Sequence, residues 1–201
     1  MSLREAGRSA LAYFYFDFRD EEKKQDLRNF LKSLLVQFSS YSNPCCKIIS
    51  QLHSTHGKGA QQPSNDVLKS CLREMLSVVG LMAQKPLRKP IYIIIDALDE
   101  CPDSSGMPTP REGVLNLLEE LLQLGLPNLR ICVTSRPEVD IQNALGPLAD
   151  ISISLHDQSG QIKDISDYVR NVAYSDKKMR SWRVDQKELV IEELSNKADG
   201  M

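Results

Sequence analysis

The sequence predicts an α/β protein of three layers, a parallel sheet with helices over both faces. Short apolar segments alternate along the chain with longer segments of helical period. Ile91-Tyr-Ile-Ile-Ile-Asp96 is β-branched and continuously apolar, the pattern of a central parallel strand, and Leu129 to Thr134 forms a second such segment.

The elements follow in chain order. Residues 10–18, Ala-Leu-Ala-Tyr-Phe-Tyr-Phe-Asp-Phe, are aromatic-rich with little polar alternation and read as a strand covered on both faces. Leu27, Phe30, Leu31, Leu34, Leu35 and Phe38 recur at three- and four-residue spacings, the apolar stripe of a helix. Asn43-Pro44 is expected to start a short helix carrying Ile48, Ile49 and Leu52. Residues 54–64 are loop-like. Behind a cap at Asn65, the spacing of Val67, Leu68, Cys71, Leu72, Met75, Leu76 and Val79 predicts another helix. Thr109-Pro110-Arg111-Glu112 combines a capping hydroxyl, a first-turn proline and a glutamate three residues after the cap, directly before a leucine-rich helix. Ile151-Ser-Ile-Ser-Leu155 alternates as a peripheral strand would, and helices are expected near 159–174 and from Asp185.

Composition narrows the function classes. The 201 residues include 25 basic and 27 acidic ones, interspersed, for a net charge of -2, which leaves no electrostatic footprint for nucleic acid or anionic lipid. No apolar run approaches the length of about 18 residues that a membrane span requires, and the N-terminus has no secretory pattern, so a cytoplasmic protein is expected. Five cysteines without C-x-x-C spacing argue against a disulfide framework or a zinc site. His53, His56 and His156 are scattered and read as surface or loop residues, Cys101 as a packing residue, and Trp182 as packing between helices. No G-x-S-x-G elbow marks an α/β hydrolase.

In a parallel sheet ligands sit at the carboxyl ends of the strands, where Asp17, Asp96 and Ser135-Arg136 are expected to gather. An apolar strand ending in an acid, here Asp96, can hold a magnesium ion, and a following Asp99 or Glu100 can orient a water that attacks a γ-phosphate. The small Ala97 leaves room beside the metal. Leu129 to Pro137 ends a strand in a hydroxyl pair and an arginine, and Arg136 can reach a phosphate. Read without that chemistry, Asp99-Glu100 is a solvated acidic turn, and Arg136 pairs with Glu138 or Asp140 on the surface.

In this order, Ile-Ile-Asp96-Ala-Leu-Asp-Glu-Cys and the downstream Val-Thr-Ser-Arg-Pro resemble the NACHT domain of the STAND class of P-loop NTPases, in its nephrocystin-like and fungal ankyrin-repeat receptor form. Ala-Tyr-Phe-Tyr-Phe-Asp17 is similar to the second strand of that domain. The resemblance implies residues 1–156 as a partial nucleotide-binding core and 157–201 as the start of a helical subdomain. It implies Asp96 as the magnesium ligand, Asp99 and Glu100 as the catalytic acids that position water, and Ser135 with Arg136 as the phosphate sensor, acting on ATP or GTP with Mg²⁺. It also implies a nucleotide-dependent switch that oligomerises and recruits protein partners through flanking effector and repeat domains, in fungi for non-self recognition.

One part of that machinery has no counterpart in the sequence. P-loop proteins need G-x-x-x-x-G-K-[ST], whose backbone N–H groups cradle the phosphates. The one Gly-Lys, Gly57-Lys58, has neither the earlier glycine nor a hydroxyl after the lysine. In the family, the loop and its strand precede the Tyr-Phe-Tyr-Phe strand, and that first strand lies between the strand ending in Arg136 and the one at 151–155. The chain is therefore expected to be a fragment of a larger receptor. It is expected to have an incomplete sheet, a last strand without its neighbour, and weak or no nucleotide binding by itself. The competing expectation is a non-catalytic interaction module with a degenerate P-loop NTPase fold.

Overall fold

The computed structural model of the chain describes residues 9–19, 26–81, 89–103, 107–154 and 159–197. It divides into two compact units, Met1–Leu148 and Ala149–Met201. The first is an open α/β sheet in the chain order β1 (Ala10–Tyr15), α1 (Leu27–Ser39), α2 (Asn43–Thr55), α3 (Asn65–Leu81), β2 (Ile91–Asp96), α4 (Pro110–Gln123), β3 (Leu129–Val133) and α5 (Val139–Leu145). The sheet order is β1-β2-β3 and all pairings are parallel, with Ala10 beside Ile91 and Ile91 beside Leu129. β3 therefore pairs on one side only among the described residues, at the edge where the sequence leads one to expect a missing strand.

The core forms on one face of this sheet. Ala10, Ala12, Ile91, Ile93 and Ile95 cluster with Phe30, Leu31 and Leu34 of α1, Leu72, Met75 and Leu76 of α3, and Val114, Leu117, Leu118 and Leu121 of α4. The i, i+3, i+4 stripes legible in each helix are the stripes that are buried. Lys69 and Arg73 of α3 both bond the Glu120 carboxylate of α4 at 2.7 Å. Burial pushes the Glu120 carboxyl up, but the bonds from Lys69 and Arg73 outweigh it and hold the group below the usual carboxylate range.

Expected burial of both faces of β1 is corrected by the structure. Tyr13 and Tyr15 are 55% and 53% exposed, because the two-residue pleat turns them away from the helices. Phenol rings tolerate that position, since the hydroxyl stays in water. The outer edge of β1 is closed by side chains of α1 and its C-terminal turn. Tyr41 accepts from the Leu11 N–H at 2.7 Å and donates to the Leu11 carbonyl at 2.8 Å. Gln37 does the same for Tyr13, at 3.0 and 2.7 Å. Two side chains thus stand in for a neighbouring strand.

Two helix starts are shifted by one residue from expectation. Ser42, not Asn43, caps α2 by accepting from the Cys45 N–H. Ser64, not Asn65, accepts from Val67 ahead of α3. Each serine places its oxygen where the first-turn N–H groups point, and the asparagine after it enters the helix. The capping box at Thr109 and Glu112 forms as expected.

The expected strand at 151–155 does not form. Residues 151–154 are without strand pairing, with Ile151 80% and Ile153 70% exposed, and Leu155 lies outside the described residues, as does His156. Alternation supplies an apolar side to this segment, but no neighbouring strand offers it a ladder among the described residues. The second unit consists of α6 (Ser159–Ser175) and α7 (Val184–Lys197). Arg170 holds Glu188 through two bonds of 2.7 and 2.9 Å, and the Tyr174 hydroxyl donates to the same carboxylate at 2.8 Å. Arg170, then Tyr174, hold the Glu188 carboxyl below its ordinary range. Trp182, expected between helices, is instead 42% exposed in the turn that joins them. No helix among the described residues is long and apolar enough to cross a membrane.

Candidate functional site

The carboxyl ends of β2 and β3 are joined by one residue, Thr134. Its backbone N–H donates to the Ile95 carbonyl at 2.9 Å, and its carbonyl accepts from the Leu98 N–H at 3.0 Å. Its hydroxyl accepts from the Ala97 N–H at 3.0 Å and donates to the Asp96 carboxylate. Between these bonds the chain turns sharply. Ala97 has φ 56° and ψ 47°, a left-handed conformation that costs a non-glycine residue about 1–2 kcal/mol. The turn drives Leu98 fully into the core and winds Leu98–Glu100 into one turn of 3₁₀ helix, so that Asp96, Asp99 and Glu100 follow one another around the end of the strand. The small side chain expected at 97 is thus the residue that tolerates the bend.

Asp99 and Arg136, separate motifs in the sequence, meet directly. The Asp99 side chain is 9% exposed, accepts the Arg136 backbone N–H at 3.0 Å and lies 3.5 Å from the Arg136 guanidinium. The guanidinium itself is 77% exposed, open to a further anion. The surface pairing of Arg136 with Glu138 or Asp140 is not what forms. Glu138 donates its N–H back to the Arg136 carbonyl, and Asp140 is taken by Arg111. Ser135 lies exposed between Thr134 and Arg136. Glu100 accepts from the Phe18 N–H at 3.1 Å, which ties the acidic turn to the segment after β1. Asp17, in that segment, accepts from the Arg19 backbone and side chain.

Arg111 and Thr134 do more in this arrangement than sequence reasoning assigned to them. Arg111, on the first turn of α4, is 9% exposed. It donates to the Cys101 carbonyl at 3.0 Å, the Asp99 carbonyl at 2.7 Å and the Asp140 carboxylate at 3.2 Å. One guanidinium therefore fastens the acidic turn to the helix that follows the Ser135-Arg136 motif. A signal for it exists in the sequence, because Arg111 stands on the same helical stripe as Val114, Leu115 and Leu118, where a charge is buried or misplaced. Cys101 is fully buried, and burial pushes its thiol up to about 12.

The donor chemistry bears on a magnesium ion in a limited way. Among the described residues no group of three His, Cys, Asp or Glu side chains could hold a metal. Mg²⁺ commonly takes one or two protein carboxylates and completes its shell with water and substrate phosphates. The Asp96 carboxylate, exposed and oriented by the Thr134 hydroxyl, fits that partial role.

Residues 2–136 match the family described as Nephrocystin 3, N-terminal. No curated protein and no solved structure matches the chain.

Proposed function

The chain belongs to the Nephrocystin 3, N-terminal family, and on that footing we propose that the carboxyl ends of β2 and β3 form the magnesium and phosphate-sensing half of a nucleotide site in a NACHT-type signalling NTPase. The observation that carries this reading is the direct pairing of Asp99 with Arg136, beside an Asp96 held by Thr134.

In this reading Asp96 ligates Mg²⁺, which when bound would offset charge on the phosphates of ATP or GTP. Asp99 holds the sensor loop by its backbone and keeps Arg136 at the site, where a phosphate competes for the guanidinium. Glu100 is the remaining acid placed to orient water, and Ser135 offers a hydroxyl beside Arg136. Nucleotide state then changes how the sensor loop and α5 sit, a local charge event of the kind that switches domain packing and partner recruitment. Cytoplasmic signalling through neighbouring effector and repeat domains belongs to the same reading.

The sequence carries no phosphate loop, so the half-site alone lacks the backbone cradle that gives P-loop proteins most of their grip. This favours a second reading, a protein-interaction module that keeps the shape of the fold without hydrolysis. Nucleotide titration tests whether the half-site is incomplete. A fluorescent ATP or GTP analogue with magnesium is expected to bind this chain weakly, without saturation in the micromolar range. Tight binding that Asp96→Asn abolishes would show that the half-site needs no phosphate loop and would overturn the account of its incompleteness.

A further inference from the structure

The two edges of the sheet are finished differently. In a parallel strand, successive residues turn their N–H and carbonyl groups to opposite sides. On β1 the outward-facing Leu11 and Tyr13 have both groups taken, by Tyr41 and Gln37. On β3 the Asn128 carbonyl accepts from the Ile91 N–H, and the Thr134 N–H donates to the Ile95 carbonyl. With the register between them, these bonds turn Arg130, Cys132 and Thr134 toward β2 and Ile131 and Val133 outward. Neither Ile131 nor Val133 has a partner for its N–H or its carbonyl among the described residues. Leu129 also faces outward but is already closed, its N–H donating to the Leu126 carbonyl and its carbonyl accepting from the Arg130 side chain.

The free groups of Ile131 and Val133 match those of a second copy of the chain. A two-fold axis at Cys132 sets two β3 strands antiparallel, with Ile131 opposite Val133 of the other copy, and each such pair can exchange both of its N–H···O bonds. With the axis moved to Ile131, Val133 would instead meet Leu129, whose groups are taken. Charge favours the same orientation. Exposed Arg130, at the start of β3, comes opposite Thr134 at the end of the other strand, beside the Asp96 carboxylate that Thr134 holds. Cys132 is exposed and in register with Ile94 and Tyr13, 38% and 55% exposed, so the row they form on the face opposite the core continues across the axis.

We propose that the chain forms a two-fold dimer through β3, which joins the three-stranded sheets of two copies edge to edge with Cys132 facing Cys132 at the centre. Tyr41 and Gln37 close the β1 edge, so the association stops at two copies. The groups that pair are main-chain atoms of β3 and do not depend on a bound nucleotide.

Sedimentation equilibrium of the full chain under reducing conditions is expected to show monomer and dimer in equilibrium, with no larger species. Cys132→Lys and Cys132→Glu, each at an exposed position, put like charges opposite one another at the axis and should each weaken self-association by about tenfold, with far-UV circular dichroism preserved. An equimolar mixture of the two variants should recover the dimer, because the charges facing each other are then opposite. Under diamide, which takes the two hydrogens from a pair of thiols, the original chain should form a disulfide-linked dimer. Residues in a non-hydrogen-bonded antiparallel pair lie about 4.5 Å apart at Cα, within the span of a disulfide. Cys46→Ser, at the other exposed cysteine, should leave that crosslink intact, and Cys132→Ser should abolish it. A chain that stays monomeric at millimolar concentration would overturn the proposal. So would a dimer that neither charged variant weakens, a mixture no tighter than its components, or a crosslink that survives Cys132→Ser.

Discussion

Arg111→Met is expected to destabilise the first compact unit by about 2–4 kcal/mol, although the new side chain is similar in length and fully apolar. The guanidinium side chain is 11% exposed, bonds the Asp99 and Cys101 carbonyls and the Asp140 carboxylate, and has the Asp103 carboxylate at 4.0 Å. Its loss removes one donor from each of the Asp99 and Cys101 carbonyls and the ion pair from Asp140. Unsatisfied buried acceptors cost about 1–3 kcal/mol each. The Asp140 share is small, because that side chain is 40% exposed and water screens it. Arg111→Lys should recover only part of the loss, since an ammonium cannot span three acceptors in the plane of a guanidinium. Urea unfolding together with hydrogen exchange at the Ile93 and Ile95 amides measures the effect, the latter confining it to the sheet. A loss below about 1 kcal/mol would mean that the carbonyls find water and that the network does not hold the acidic turn.

Phe30→Ala is expected to cost about 3–5 kcal/mol, the range for removing a fully buried aromatic ring. Phe30 is completely buried, packs edge-on against Phe14 with ring centroids 5.2 Å apart, and lies tilted beside Phe16 at 6.1 Å. These contacts join α1 to β1 and to the residue that follows it, where the Phe16 N–H continues the ladder to the Asp96 carbonyl. The cavity left by alanine would therefore loosen the strand end that borders the acidic turn. Phe30→Leu keeps most of the volume and should cost about 1–2 kcal/mol. Thermal and urea unfolding compare the two. Equal losses for both substitutions would contradict the assignment of the stability to packing volume.

Much of the framework was legible because its determinants are local. The continuous apolar run Ile91 to Asp96 coincides with β2, the leucine stripes of α1 and α4 face the core, and the Thr109-Pro110-Arg111-Glu112 signature forms its capping box. Failures came where a non-local partner decides. Ile151-Ser-Ile-Ser has the alternation of a strand, but alternation cannot supply a ladder. The aromatic run of β1 suggested burial on both faces, whereas only the side bearing Ala10 and Ala12 is covered. Asp96, Asp99, Glu100, Ser135 and Arg136 were all placed at strand ends by motif. That Asp99 clasps Arg136 could not be read from either motif alone, because it depends on the parallel register of β2 and β3. Thr134 looked like one of a hydroxyl pair, and only the fold shows it bonding both Asp96 and Ala97.

The central claim, that the Asp96 and Arg136 ends of the sheet are half of a nucleotide site, is tested most directly by amide NMR of the chain during titration with millimolar Mg·ATP. The account predicts weak, fast-exchanging shift changes confined to Asp96 through Glu100 and Ser135 through Glu138. Asp96→Asn should remove the magnesium dependence, and Arg136→Ala the response of the sensor loop. Shift changes elsewhere in the molecule, or none at these residues, would contradict the claim and leave the interaction-module reading in its place.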